Sequence, residues 1–132
     1  MTPFTLAFTA QSQHIDELGH VNNAVWVQWI QDIATAHWGS IAPEEMHQRY
    51  IWMVTRHEID YRGNIALGES VTGRTWISEP PRGARFNRNV AFDNAQGKTI
   101  VQAVTSWALL DRQTQKLLRV REDITGLFGV NA

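Results

Sequence analysis

Residues 22–38 read NNAVWVQWIQDIATAHW, a stretch in which large apolar side chains recur at spacings of three and four. The recurring set is Val25, Trp26, Trp29, Ile30, Ile33, Ala34 and Trp38. This period places all of them on one broad stripe of an α-helix. Asn22 or Asn23 can cap its start, and Gly39 is predicted to end it. A stripe this broad indicates a helix that is buried on more than one side.

The sequence on either side of this helix has the patterns of β-strands. Residues 4–12 alternate between apolar and small polar side chains, which predicts a half-buried strand. A short second helix is expected in residues 43–49, because Pro43 suits a first turn. Further strands are predicted at residues 51–62, 69–79, 84–93, 98–111 and 117–121, separated by turns rich in Gly, Asn and Asp. The last ten residues are compatible with a helical turn or with a frayed tail.

One long helix and one antiparallel sheet make an α+β protein. The helix buries two sides only if the sheet curls around it, and this accounts for the broad stripe. A curled antiparallel sheet wrapped around one long central helix is the hotdog fold. The length of 132 residues fits a single such domain, residues 1–132.

Composition and charge exclude several classes of function. The formal net charge of −1 gives no general attraction to nucleic acid or to an anionic membrane, so neither is expected as a partner. The chain has no cysteine, which excludes disulfides, thiolate metal sites and a cysteine nucleophile. No apolar run approaches the ~20 residues that span a bilayer, and the first residues lack the features of a signal peptide. A cytoplasmic location is the expectation.

The segment that carries chemistry is residues 14–23, HIDELGHVNN, between the first strand and the helix. Asp16 lies in a loop next to a helix N-terminus, whose free backbone N–H groups favour negative charge and can hold an oxyanion. A carboxylate beside an oxyanion cradle is typical of an acyl-transfer site. Gly19 permits a tight turn. On spacing alone, the commoner alternative is that Asp16 and the two asparagines are only turn and cap residues.

Residues 16–23, DELGHVNN, resemble the D-x-x-G-H-V-N-N motif of the hotdog superfamily, in its branch of 4-hydroxybenzoyl-CoA thioesterase-like and acyl-ACP thioesterases. Trp26 stands where that family usually has an aromatic residue. Looser similarity extends over residues 58–61, 68–71 and 103–111. The resemblance therefore runs from about residue 5 to residue 121.

The resemblance implies hydrolysis of an acyl-CoA or acyl-carrier-protein thioester without a cofactor, coenzyme A or phosphopantetheine belonging to the substrate. Asp16 matches the catalytic carboxylate, a general base or a nucleophile. The backbone N–H near Asn23 matches the group that polarises the carbonyl, and His20 matches a polar residue of the site. The matching positions for substrate binding are Gly19, Asn22 and Trp26. Many members carry D-x-D, whereas His14 replaces the first Asp here, so an altered pH response or specificity is expected.

The resemblance also implies a homodimer or homotetramer, because the sites of this family lie at a dimer interface. Residues 83–88, Thr105 and Ser106 are candidates for contributions from the second subunit. Glu58 is a possible helper, although a Glu on a strand is more often simply solvated.

Three arginines, Arg82, Arg85 and Arg88, suit the phosphates of coenzyme A or of a carrier-protein arm. The slightly favoured alternative is a solvated charge group on an edge strand. No metal is expected: a metal site usually needs three protein ligands, and His14, His20 and Asp16 do not form a set with the spacing of such ligands. A cation is favoured at His37, near the predicted end of the helix.

Two rivals to the hydrolase remain on the same fold. One is a non-catalytic acyl-CoA-binding protein, and the other is a hydratase or dehydratase, for which the expected Asp/His pattern on the helix is missing. The preferred acyl group, the choice between CoA and carrier protein, and the step from dimer to tetramer depend on pocket shape and stay open.

Overall fold

The computed structural model describes residues 2–130. Its elements follow one another as β1 (Phe4–Thr9), α1 (Asn23–Ile41), α2 (Glu44–Arg49), β2 (Tyr50–Tyr61), β3 (Ser70–Trp76), β4 (Arg85–Asp93), β5 (Thr99–Asp111) and α3 (Glu122–Thr125). Single 3-10 turns occupy Ser12–His14 and Gly126–Phe128. No helix within residues 2–130 is long and apolar enough to cross a membrane.

The strands form one antiparallel sheet in the order β1-β3-β4-β5-β2. Strands β3, β4 and β5 are therefore interior, and β1 and β2 are the edges. Pairing of β2 with β5 slips between Val54 and Arg56, where one extra residue, Thr55, makes a β-bulge. The Thr55 hydroxyl donates to the Ser106 carbonyl at 3.2 Å.

The sheet packs one face against α1, as the broad apolar stripe predicts. Trp26, Ile30 and Ile33 have no exposed surface. Every strand contributes apolar side chains to the layer that surrounds the helix, among them Phe8 of β1, Val71 of β3, Phe92 of β4, Val101 of β5 and Ile59 of β2. The expected α+β fold, a curled sheet around a long central helix, is confirmed.

The apolar interior divides along the helix into two clusters. The start cluster surrounds Trp26, Trp29 and Phe92 near the beginning of α1. The end cluster surrounds Trp38 near the end of α1, and its other members include Phe86, Leu109 and Phe128. Gly73 of β3 lies against the start cluster so closely that an added Cβ would stand 3.0 Å from Ile33.

Several predicted boundaries are wrong. Gly39 does not end α1; it is an exposed helical residue, and the helix continues to Ile41 because Ile41 and Ala42 join the end cluster. Pro43 stops α1, since a proline disfavours helical backbone in the residue before it, and it caps α2 rather than lying inside it.

The first and last predicted strands also differ from the structure. β1 ends at Thr9. The strand predicted at residues 117–121 is only an isolated bridge between Leu117 and Leu110. The last described segment takes the helical alternative, because α3 and the following turn bring Phe128 back into the end cluster.

Candidate active site

The loop before α1 is a tight turn built around Asp16. The Asp16 N–H donates to the His20 carbonyl at 2.9 Å, and the Gly19 N–H donates to the Asp16 carbonyl at 3.1 Å. Gly19 has φ +78°, a left-handed conformation that glycine adopts without strain. The carboxylate Oδ1 of Asp16 accepts from the N–H groups of Leu18 at 2.9 Å and His20 at 3.3 Å. The side chain at position 16 thus orders its own loop.

The helix start is capped by Asn22, as one of the two predicted alternatives stated. Its Oδ1 accepts from the Ala24 N–H at 2.8 Å, and its carbonyl accepts from the Val25 N–H at 2.9 Å. The N–H of Asn23, the first helical residue, has no acceptor within residues 2–130. It therefore remains available at the positive end of the helix dipole.

The motif residues come together on one open surface. Asp16 is half-buried, whereas Gly19, His20, Asn22 and Asn23 are exposed. Asp16 and Asn22 line the same shallow depression, which is wide open to solvent, and the neighbouring Leu18 is 81% exposed. Within residues 2–130, the Oδ2 atom of Asp16 has no hydrogen-bond partner. The chain supplies the carboxylate and the helix start but does not enclose them.

Two aromatic or heterocyclic side chains support this loop from the inside. Trp26 has no exposed surface, so within one chain it is a core residue rather than a pocket wall. Its Nε1 donates to Asn64 Oδ1 at 3.2 Å, and Asn64 Nδ2 donates in turn to the Val21 carbonyl at 2.9 Å. His14 packs edge-on against Trp29 with 5.3 Å between ring centroids, and its Nδ1 accepts from the Gln11 N–H at 2.9 Å. His14 thus orders the turn that precedes the motif.

The other candidates lie elsewhere on the sheet. Glu58 is on the outer face of β2 in a surface ion pair with Arg56 at 3.0 Å, and both side chains are about two-thirds exposed. Among the candidates for a second subunit's site, Thr105 is fully buried, with its Oγ1 2.9 Å from His57 Nδ1. Ser106 is buried on the opposite face and donates to Asn87 Oδ1 at 2.7 Å.

The three arginines lie in different environments. Arg82 and Arg85 are exposed and exchange two backbone hydrogen bonds at 2.9 and 3.0 Å. Arg88 is only 5% exposed and lies on the inner face of β4, an interior strand. The alternative of a solvated edge-strand group is therefore wrong for Arg88. The alternation of Phe86, Arg88 and Val90 carries the signal, because it places Arg88 among core residues.

A second concave region, missed in the sequence, lies at the far end of α1. This end cavity has a volume of about 230 Å³ between α1, the sheet and Phe128. Arg88 lines it, and its Nη1 donates to His37 Nδ1 at 2.9 Å and to Thr75 Oγ1 at 3.0 Å. No cluster of His, Asp or Glu that suits a metal occurs at either end among the described residues.

The charge states of this pair follow from burial. Burial lowers the pKa of Arg88 to about 10, so Arg88 is still a cation at neutral pH. Burial and, secondly, the positive charge of Arg88 lower the pKa of His37 to about 4. The prediction of a cation at His37 is therefore wrong. The His37 ring is neutral, and its Nδ1 accepts the hydrogen bond from Arg88.

A curled sheet around one helix, with a D-x-x-G-H-V-N-N loop at the helix start, defines a hotdog-fold protein. Residues 2–128 match the model of the acyl-ACP thioesterase N-terminal domain. The chain belongs to that family. A chloroplastic palmitoyl-acyl carrier protein thioesterase of Arabidopsis thaliana is 25% identical over 84 residues, which are 64% of this chain and 20% of the plant protein. The chain thus spans about a fifth of the length of its plant relatives.

Solved structures share the fold at low sequence identity. A DHNA-CoA thioesterase of Staphylococcus aureus has a TM-score of 0.84 and 18% identity, covering 98% of this chain and 90% of that one. The protein SAV2348 of the same organism, solved in complex with CoA, has a TM-score of 0.84 and 15% identity, covering 96% and 82%.

Proposed function

We propose that this chain hydrolyses an acyl thioester, with Asp16 as the catalytic carboxylate and the Asn23 N–H as oxyanion donor. The observation that carries the proposal is the open depression in which Asp16, with an uncommitted Oδ2, lies beside the capped start of α1. Membership of a family of acyl-ACP thioesterases supports the choice of a thioester.

The chemistry requires only these groups and water. As general base, Asp16 Oδ2 takes a proton from a water whose oxygen attacks the thioester carbonyl carbon. Negative charge develops on the carbonyl oxygen, where the Asn23 N–H and the helix dipole stabilise it. The C–S bond then breaks, the thiolate leaves and takes up a proton, and the acid is released. If Asp16 attacks the carbonyl carbon directly, the C–S bond breaks and the thiolate leaves, which gives an acyl-enzyme anhydride that water hydrolyses to the free acid and the Asp16 carboxylate.

The proposal includes a homodimer, with a tetramer as its possible extension, because one chain leaves the depression uncovered. Strand β2 supports it: twelve residues long, it pairs only with β5 within residues 2–130 and exposes Ile51 and Met53. A long open edge strand with exposed apolar side chains is a template for pairing with another chain. Light scattering that gives twice the 15.0 kDa mass of the chain supports this part, and a monomer contradicts it.

The test of the catalytic role is a pair of substitutions at Asp16. Asp16→Asn keeps the Oδ1 acceptor for the loop and removes the basic carboxylate, whereas Asp16→Ala removes both. We expect Asp16→Asn to lower kcat by roughly 10²–10⁴-fold, the usual contribution of a general base. The measurement is release of free thiol from acyl-CoA and acyl-ACP, each with aromatic, short and long acyl groups.

The matched control is Glu79→Gln, an exposed carboxylate between β3 and β4 that does not line the depression. It should retain wild-type turnover. If Asp16→Asn is as active as the wild type and only Asp16→Ala loses activity, Asp16 is a turn residue and the catalytic assignment fails. Binding of acyl-CoA without any thiol release would instead favour the non-catalytic acyl-CoA-binding protein.

A further inference from the structure

The end cavity is separate from the candidate active site. It lines the second half of α1, whereas the Asp16 loop precedes the helix. From Asn23 to Ala34, which lines the cavity, the helix axis runs roughly 17 Å at 1.5 Å per residue. The volume of about 230 Å³ far exceeds what one water needs.

The walls of the cavity are aromatic on several sides. Trp38 of α1, Trp52 of β2, Phe86 of β4 and Phe128 of the C-terminal turn all line it. Such walls favour a ligand with an apolar body.

Arg88 enters this apolar cavity as a charge without a counter-charge. No carboxylate lies within 4.0 Å of it among the described residues, and no Asp or Glu lines the cavity. Its protein partners are neutral: His37 and Thr75 accept from Nη1, and Phe128 stacks beneath the guanidinium at 5.4 Å. Buried charges in proteins are normally paired. The environment of Arg88 therefore suits an anionic ligand, because the described residues supply no anionic partner.

A second unpaired donor belongs to a side chain that lines the same cavity. Trp107 lines it, and its Nε1 is buried without a hydrogen-bond acceptor. Arg88 pairs with Thr105 in the β4–β5 register, and Trp107 is two residues further along β5. The two side chains are therefore diagonal neighbours on the inner face of the sheet, at a distance that one small ligand can bridge.

We propose that the end cavity binds an organic carboxylate with an apolar body, whose oxygens accept from the Arg88 guanidinium and the Trp107 indole N–H. Planar carboxylates fit the guanidinium fork, with which they form charge-assisted hydrogen bonds. The aromatic walls take the apolar body. The inference does not depend on thioester hydrolysis, since it concerns binding at another place.

The test compares octanoate with octan-1-ol and octanamide by isothermal titration calorimetry on the full chain. All three share an apolar body, and only octanoate carries charge. We expect octanoate to bind at least tenfold more tightly than either neutral compound. Equal affinity of the three would overturn the proposal, because the charge of Arg88 would then contribute nothing.

Two variants locate the effect. Arg88→Met should abolish the preference for octanoate, while Arg119→Met, which removes an exposed arginine outside the cavity, should retain it. Trp107→Phe should weaken octanoate binding several-fold and leave octan-1-ol binding unchanged. A preference that survives Arg88→Met in a folded variant contradicts the assignment.

A measurement on the wild-type protein covers the case in which Arg88→Met does not fold. The indole N–H signal of Trp107, assigned by its loss in Trp107→Phe, should shift downfield in proton–nitrogen NMR when octanoate is added. The signal should stay in place with octan-1-ol. An indole signal that does not respond to octanoate overturns the proposal.

The carboxylate that binds in the end cavity has two sources: a free acid, or the distal end of an acyl group in a thioester. Measurements of kcat/KM distinguish the two. A preference in kcat/KM for adipoyl-CoA over hexanoyl-CoA that Arg88→Met removes assigns it to the acyl group. Equal kcat/KM together with octanoate binding assigns it to a free acid. Absence of all turnover would count against the proposed hydrolysis and leave the calorimetric test intact.

Discussion

The two ends of α1 lie beside charged groups in opposite environments, one exposed and one buried. At its start, the Asp16 loop is exposed, its polar groups bond to one another, and a carboxylate oxygen and a backbone N–H remain accessible. At its end, aromatic side chains line a cavity in which the charge of Arg88 is buried beside neutral partners. A polar site at a surface needs little packing and depends on backbone geometry, whereas a buried charge depends on the whole surrounding core.

The largest expected effect tests how differently the two clusters are packed. Trp26→Ala empties a fully buried site in the start cluster and removes the bond to Asn64, so we expect a loss of about 3–5 kcal/mol in the free energy of unfolding. Trp52→Ala, at a half-buried wall of the end cavity, should cost clearly less. Urea unfolding measures both. Equal losses would mean that the two ends are packed alike.

Gly73 tests the close approach of helix and sheet at the start cluster. Gly73→Ala places a Cβ 3.0 Å from Ile33 and 3.1 Å from both Phe8 and Phe92, so we expect about 1–3 kcal/mol of destabilisation. The matched control is Gly39→Ala, an exposed helical position with nothing within 4 Å of the new Cβ. It should stabilise the protein by roughly 0.5–1 kcal/mol. A harmless Gly73→Ala would show that the layers have room to move.

The end of α1 should respond to acid. The pKa of His37 is lowered to about 4 from 6.5 by burial and by Arg88, so between these pH values the unfolded chain binds a proton that the folded chain does not. Stability is therefore lost as pH falls through this window, by roughly 1–2 kcal/mol after allowing for partial exposure of the ring. Burial also lowers the pKa of His57, which adds a contribution of the same sign.

Urea unfolding at pH 7, 5.5 and 4.5 measures this loss, with His37→Gln as the variant that should flatten it. His20→Gln, at an exposed ring, is the control. In an NMR titration, Arg88→Met should raise the pKa of His37, because it removes the nearby positive charge. If the pKa of His37 is the same in Arg88→Met as in the wild type, the charge of Arg88 does not act on His37 and the prediction is wrong.

The smallest expected effect concerns the helix cap. Asn22→Ala removes the acceptor of the Ala24 N–H and should cost about 1 kcal/mol in thermal or urea unfolding. Asn22→Asp keeps an acceptor and adds a favourable charge at the helix start, so it should retain or exceed wild-type stability. Destabilisation by Asn22→Asp as large as that by Asn22→Ala would contradict the capping role.

Local periodicity was sufficient to predict the long helix, its cap and five strands to within a few residues. The predicted end at Gly39 failed because a glycine ends a helix only when the backbone must turn there, whereas Ile41 and Ala42 had apolar surface to bury. The prediction of a strand at residues 117–121 failed because a strand must pair with a neighbouring strand along its length. Here pairing is limited to the single bridge between Leu117 and Leu110.

The two candidate sites also differ in how far the sequence predicts them. Residues 16–23 are contiguous, so their motif and their shared surface follow from the sequence. The end cavity joins α1, β2, β4, β5 and the C-terminal turn, and no local pattern reveals which side chains face one another across it. The alternation of Phe86, Arg88 and Val90 was the one local signal of burial at Arg88, and the sequence analysis favoured a solvated arginine instead. The lack of a counter-charge at Arg88 depends on which side chains the other elements bring to the cavity.

The bulge at Thr55 changes how β2 can evolve. Before it, Trp52 and Val54 are the less exposed positions of the alternation; after it, His57 and Ile59 are, so even and odd positions exchange roles within one strand. Deleting Thr55 would leave Val54 opposite Trp107 and Arg56 opposite Ser106, so regular pairing would be restored and every later side chain would keep its side. A single-residue deletion, which within a regular strand acts as a frameshift of the protein surface, is absorbed at this position.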